Sequence, residues 1–236
     1  MNNKVIPRPS QKEPVNSPMT AQFALNNRNL RTQGIVSASF VILWIALVSY
    51  GVGALLIYSA KPGEAACAPR TLPIGTSGIL PIGKPLMMVF LHPHCPCSRT
   101  TVEQLQKILI ASQGATECRV LLVIPPDTEQ GWENGSLLRL LSSIPGLRVE
   151  CDRGGLQAKR FQAATSGQVL FYKGDRTLAF CGGITASRGH AGDNIGSQTI
   201  MTLLRDEESQ HTQTPVYGCP LLNSETFCGE KSQCQQ

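Results

Sequence analysis

Charge is scarce in this sequence. Only 16% of the 236 residues are Asp, Glu, Lys or Arg, and much of the deficit lies in one long uncharged stretch near the N-terminus. The formal net charge is +5, yet no dense Lys/Arg run with interleaved aromatics occurs, so a nucleic-acid partner is not expected. Paired CxxC knuckles of matched spacing are also missing, which removes the usual structural zinc site. There is no internal repeat. What the chain does have is cysteine: Cys67, Cys95, Cys97, Cys118, Cys151, Cys181, Cys219, Cys228 and Cys234. Without a zinc pattern, an oxidising compartment is the better account of that number. The odd count leaves at least one thiol free or paired between chains.

The uncharged stretch runs from Ile35 to Ala60, IVSASFVILWIALVSYGVGALLIYSA. It exceeds the roughly 20 residues that cross a hydrocarbon core, and a soluble core helix rarely lacks a polar face over so many turns. One transmembrane helix over residues 35–60 is expected, with Tyr58 placed as an interfacial anchor. Cleavage near Ala66 or Ala68 is the alternative and would release the rest. Lys4, Arg8, Lys12, Arg28 and Arg31 precede the span against one acid, Glu13. This bias and the cysteine count both favour the N-terminus inside and the remainder outside, in a periplasm or other extracytoplasmic space, on a single-pass inner-membrane protein.

Residues 1–34, rich in Pro, Asn, Ser and Gln, read as a disordered basic tail. Residues 61–84 are Pro/Gly-rich and read as a linker. From residue 85 a folded pattern begins and extends to 207. LMMVFL (Leu86 to Leu91) is a buried strand, and Val102, Leu105, Ile108 and Leu109 recur at helical spacing up to about Ser112. Arg119 to Ile124 is a second buried strand. Gly135 to Ser143 is a helix, Leu147 to Glu150 a short strand, and Leu156 to Ala164 a helix. Gln168 to Tyr172 and Thr177 to Cys181 form a hairpin around Lys173-Gly174-Asp175-Arg176. Ile195 to Leu204 is a closing helix. Residues 208–236 form a cysteine-containing extension without strong periodicity.

This order is α/β, with parallel crossovers and one terminal hairpin. With the cysteine motif between the first strand and its helix, it resembles the thioredoxin superfamily. VFLHPHCPCSRTTVEQL is similar to that family's strand, active-site cysteines and helix, and FQAATSGQVLFYKGDRTLAFCGGI to its terminal hairpin. The strings HPHCPCS, GGITASRGHAGDN and PVYGCPL resemble a membrane-anchored bacterial group called RedB-like. The resemblance implies a central mixed sheet flanked by helices over about residues 84–205. It also implies thiol-disulfide exchange with protein thiols and disulfides, and no resident cofactor. Two departures stand out. The family has CxxC, whereas here Cys95-Pro96-Cys97 places Ser98 at the resolving position. Where the family has a cis-proline, this chain has Ser166-Gly167.

Cys95 and Cys97 are the candidate catalytic pair. If the helix starts at the motif, Cys95 is the N-cap and Pro96 the first helical residue. Unpaired N–H groups and the helix dipole then favour a thiolate. A start at Thr100, with Glu103 at capping-box spacing, would remove that effect. A Cys95–Cys97 disulfide closes a tight ring, whose strain suits oxidase or isomerase behaviour. Residues two apart on a helix point apart, so otherwise one of them pairs elsewhere, Cys181 and Cys219 being the candidate resolving thiols. Cys118 and Cys151 are expected to be buried and inert. A local disulfide among Cys219, Cys228 and Cys234, with a partner such as Cys67, is also open.

The resemblance brings the loop Gly182 to Asn194 beside the motif. Arg188 there would stabilise a thiolate, and His190 would shuttle a proton, although Asp193 or Asn194 as a helix cap is a plainer account of the loop's polarity. Two further readings compete with oxidoreductase. His92, His94, Cys95 and Cys97 form a compact set of N and S donors suited to copper delivery, a role some thioredoxin-fold proteins have. Alternatively the domain is non-catalytic.

Overall fold

The long apolar stretch forms part of one helix, α1 (Pro18–Ala60). The computed structural model describes residues 18–64, 68–73 and 83–222. The helix starts well before the uncharged span, at Pro18, inside the segment expected to be a tail. The reason is local: proline suits a first helical turn, and neither glycine nor a second proline interrupts Met19 to Gln33. Gln33–Ala60 is 28 residues long, and its most apolar 18-residue window has a mean hydropathy of 2.4 with none of that window buried. At about 1.5 Å per residue this is more than enough to cross about 30 Å of hydrocarbon. The chain divides near Leu55 into this helical unit and a second unit, Leu56–Gln236.

The second unit is built on five strands. They are β1 (Leu86–Leu91), β2 (Glu117–Ile124), β3 (Arg148–Arg153), β4 (Gln168–Tyr172) and β5 (Leu178–Gly183), in the order β3-β2-β1-β4-β5. β1 pairs parallel with β2, and β2 with β3, while β4 is antiparallel to both β1 and β5. Every side chain of β1 is buried. That is why its sequence is continuously apolar rather than alternating.

Each face of the sheet has its own apolar layer. Met87, Val89 and Leu91 pack with Val102, Leu105 and Ile108 of α2 (Pro96–Ser112), with Leu137 and Leu141 of α3 (Ser136–Ser142), and with Ile200 of α5 (Ile195–Leu204). Leu86, Met88 and Phe90 face the other way, against Ala158 of α4 (Leu156–Arg160), Phe161, Leu72, Leu221 and Leu222. Segments outside the expected domain thus help to close this second face. Leu178 N–H donates to the Arg70 carbonyl, and Leu72 N–H to that of Arg176.

Two local differences bear on the site. α4 stops at Arg160 rather than running to Ala164, because Gln162 has a φ of +52° and Ala164 and Ser166 hydrogen-bond to Leu221 and Cys219 instead. Cys151, expected to be buried, is exposed on the edge strand β3. Cys118 is buried as expected, and burial pushes its thiol far up.

Candidate functional site

β1 ends at Leu91, and the chain turns so that Cys95 N–H donates to the His92 carbonyl at 3.1 Å. Cys95 is the N-cap of α2 with Pro96 in its first turn, so the helix starts at the motif and not at Thr100. Ser98 N–H donates to the Cys95 carbonyl. Below the sulfur, the Ser98 hydroxyl donates to the His92 carbonyl and lies 2.9 Å from the Ser166 hydroxyl, which accepts from His92 N–H. Ser166 and Ser98 therefore clamp the strand-to-helix turn. Gly167, at φ +96°, donates its N–H to the Phe90 carbonyl.

Cys95 is not turned toward a solvent-exposed partner. It is 5% exposed, and its sulfur lies 3.0 Å from that of Cys219, 124 residues further on. Cys219 N–H also points at the Cys95 sulfur, at 3.4 Å. The extension carrying Cys219 is held on the domain at both ends. Upstream, Gln213 bridges Cys181 in parallel, and the Thr214 hydroxyl donates to the Gly183 carbonyl. Downstream, Ser166 N–H donates to the Cys219 carbonyl and Leu221 N–H to that of Ala164. Close approach requires glycine at both places. A Cβ on Gly183 would meet the Pro215 carbonyl oxygen at 2.6 Å, and one on Gly218 the carbonyl group of Ser166.

The electrostatics separate the three nearby thiols. Burial acts to raise the Cys95 thiol, but hydrogen bonds from the Cys219 thiol, the N–H groups of Cys219 and Cys97, and the Ser98 hydroxyl outweigh it and hold it below the ordinary value. Cys219 is pushed up to about 12 by burial and by its position beside the Cys95 thiolate. Cys97, at the second helical position, is raised by burial and by the Cys95 charge, with the Arg188 guanidinium opposing. The alkylation of reduced Cys95 should therefore reach its plateau at a lower pH than an ordinary thiol. The sign follows from thiolate fraction: a lowered pKa moves the curve to the acid side. Cys219→Ala removes one donor and should move it back toward the alkaline side. Coincident curves for the two proteins, followed with iodoacetamide, would refute this assignment.

The remaining expected residues divide. Arg188 joins the site: it hydrogen-bonds the Cys97 thiol, and its Nη1 donates to the Gly218 carbonyl at 2.6 Å. Its guanidinium also lies 4.9 Å from the Tyr58 ring centroid. His190 does not join. Its ring reaches only the Arg188 carbonyl, and its N–H that of Ser187, because the loop turns outward there. Asn194, not Asp193, caps α5 by accepting from Ser197 N–H. Cys181, the other expected resolving thiol, is buried. It sits in the second apolar layer, where the Gln168 amide and Ala68 N–H reach its sulfur. Cys67, Cys228 and Cys234 lie outside the described residues.

The proposed donor set for copper is not assembled. His94 Nε2 is 2.9 Å from the Trp132 carbonyl, and His92 Nδ1 accepts from His94 N–H. Burial, and then His94, hold His92 below its usual value. Among the described residues no group of three His, Cys, Asp or Glu side chains converges on a metal position. Trp132, whose ring lies 4.3 Å from that of His94, was not signalled by any motif.

No family model and no curated protein matches the chain. Among solved structures it is similar to an uncharacterized conserved protein from Geobacillus kaustophilus (14% identity, 70% of this chain and 93% of that one, TM-score 0.51). It is also similar to a hypothetical protein from Sinorhizobium meliloti (19% identity, 69% and 94%, TM-score 0.49). A third is a secreted Mycobacterium tuberculosis disulfide oxidoreductase homologous to E. coli DsbE (16% identity, 52% and 82%, TM-score 0.37). With a mixed sheet ordered β3-β2-β1-β4-β5, a terminal hairpin, and a cysteine at the β1–α2 turn, the chain is thioredoxin-like in fold.

Proposed function

We infer that the chain is a thiol-disulfide oxidoreductase whose working pair is Cys95 and Cys219, with Cys97 as a neighbour rather than the partner. The carrying observation is the 3.0 Å approach of the two sulfurs across the chain. A shift of about 1 Å separates them from the ~2.05 Å of a bond. Cys97 lies within a helix that is regular from Pro96, where bonding to Cys95 would need a break in the first turn.

In the reducing direction, the Cys95 thiolate attacks a substrate disulfide. A Cys95–substrate bond forms, and one substrate thiolate leaves and takes up a proton. Cys219, losing its proton, then attacks the Cys95 sulfur. The second substrate thiolate is released and protonated, and two electrons have passed from the protein dithiol to the substrate. In the other direction, the Cys95–Cys219 disulfide accepts two electrons from a substrate dithiol. Oxidation with diamide, blocking of free thiols and peptide mapping should recover a Cys95–Cys219 linkage with Cys97 blocked. A Cys95–Cys97 linkage would refute the pair, and no linkage at Cys95 would favour a non-catalytic domain.

The proposed location is the inner membrane, with the N-terminal tail inside and the catalytic unit in the periplasm. The supporting observations are the apolar length of Gln33–Ala60 and the basic residues before it. Alkaline phosphatase, which works only outside the cytoplasm, should be active when fused after Gln236. Activity of a cytoplasm-only reporter at that place would reverse the orientation. Membership of the RedB-like group is a proposal resting on the motif strings HPHCPCS, GGITASRGHAGDN and PVYGCPL alone.

A further inference from the structure

The stretch where the chain leaves α1 is bound to the segment that carries Cys219. Arg188 N–H donates to the Ser59 carbonyl at 3.1 Å, and its guanidinium lies over the Tyr58 ring. Gly63 N–H donates to the Val216 carbonyl at 2.8 Å, and the Thr165 hydroxyl to that of Glu64 at 3.0 Å. All of these residues belong to the second unit, which starts at Leu56. Val216 lies shortly before Cys219, and Thr165 adjoins Ser166, whose N–H holds the Cys219 carbonyl. The segment 215–219 therefore has two supports. One is the sheet, through Ser166 and Gly183, and the other is the stretch 58–64.

Arg188 joins the second support to the sulfurs. Its Nη1 donates to the carbonyl of Gly218, the residue before Cys219, and its side chain also hydrogen-bonds the Cys97 thiol. Its Nε–H is buried with no hydrogen-bond partner among the described residues. A buried donor left unpaired is costly, so the guanidinium keeps this pose through the Gly218 carbonyl, the Cys97 thiol and the Tyr58 ring, whose face attracts a cation. Closing the Cys95–Cys219 bond needs a displacement of about 1 Å, and a misplacement of that size costs on the order of a hundredfold in rate. Whatever fixes Arg188 thus bears on the closing step.

We propose that Tyr58 and Ser59 are positioning residues for the Cys95–Cys219 exchange, acting through Arg188, so that the end of α1 is part of the site and not an anchor alone. This rests on the Cys95–Cys219 reading given above. The Tyr58 ring holds the guanidinium, and the guanidinium holds the Gly218 carbonyl next to the resolving sulfur.

The test uses the full chain in detergent. Saturating diamide takes up the two electrons and two protons that the thiols lose, and the Cys95–Cys219 linkage is followed by acid quenching and peptide mapping. Tyr58 is 60% exposed, so Tyr58→Leu removes no core packing. It should slow closure about two- to fivefold, the scale of a cation–ring contact at an exposed site. Tyr58→Phe keeps the ring face and should restore the wild-type rate. Arg188→Gln loses the charge and should slow closure at least about tenfold, the scale of a hydrogen bond from a charged donor. A second readout is the pH curve for alkylation of Cys97. It should move to the alkaline side in Tyr58→Leu and further in Arg188→Gln, because the cation that opposes the rise of that thiol is displaced or gone. A residue that only anchors the helix would leave this curve in place. A wild-type rate in Tyr58→Leu would overturn the proposal, as would a slowed rate with an unmoved Cys97 curve, or equal slowing in Tyr58→Phe. In each of those cases the wild-type chain still forms Cys95–Cys219, and only the tie to α1 is wrong. If the wild-type chain does not form that bond, the dithiol reading fails and the tie has no step to control.

Discussion

Replacing Cys95 with serine should lower the rate of disulfide exchange by on the order of a thousandfold, because a hydroxyl is not ionised near neutral pH and is a poor nucleophile toward sulfur. Cys219→Ser should behave differently. Its first step stays intact, since Cys95 keeps the Cys219 backbone N–H, the Cys97 N–H and the Ser98 hydroxyl. The second step loses its nucleophile. The mixed disulfide should therefore accumulate, with turnover lowered by roughly a hundredfold, or ~2.7 kcal/mol on the barrier. Trapped adduct on Cys95, seen by intact-protein mass spectrometry, identifies this variant. Cys97→Ser should have the smaller effect on turnover and leave no adduct. The assignment would be overturned if Cys97→Ser trapped substrate and Cys219→Ser did not, for then the near-neighbour cysteine would be the resolving one despite its place in the helix.

That outcome depends on a contact the sequence offered only as one option among several, although much around it was legible. β1, β4 and α5 fall where continuous apolar runs and helical spacing put them, because burial on both faces leaves an unbroken signal at 86–91 and 168–172. The start of α2 was legible only in part: Pro96 has the residue type of a first turn, but the capping-box spacing of Thr100 and Glu103 left a later start open. The length of α4 was not, because helical spacing alone does not show that the backbone at 164–166 bonds to another segment instead. The pairing of Cys95 with Cys219 was left among several options for a similar reason. It is fixed by where a segment without periodicity returns, through bonds made by Ser166, Ala164 and Gly183. The available signal was glycine. Gly182-Gly183 interrupts the end of β5, and Gly218 precedes Cys219, each where two backbones run close together. Arg188 was expected beside Cys95 and instead reaches Cys97 and the Gly218 carbonyl, so it holds the returning segment as well as opposing the rise of the Cys97 thiol.

Gly218→Val tests whether that returning segment makes the site. A Cβ at this position would meet the carbonyl oxygen of Ser166, with the carbonyl carbon at 2.8 Å. Both are backbone atoms in a loop tied to Phe90 and Cys219, so neither can move without breaking those bonds. The segment must shift instead, and Cys219 shifts with it. Three effects should then appear together. The Cys95–Cys219 disulfide should form roughly a hundredfold more slowly under diamide, because the attacking geometry is lost. Cys95, without the Cys219 thiol and N–H, should alkylate with its pH curve moved to the alkaline side. The domain should also lose stability, since Leu221 and Leu222 follow directly and each contributes about 1.5–3 kcal/mol by burial. Loss of stability alone is separable with Leu222→Ala, which thins the same apolar layer but leaves Gly218 and the Ser166–Cys219 bond in place. That variant should unfold at lower denaturant while keeping the wild-type alkylation curve of Cys95. If Gly218→Val instead forms the disulfide at the wild-type rate, Cys219 reaches Cys95 without the seat that Ser166 and Gly218 provide, and the contact between the two backbones has no part in the chemistry.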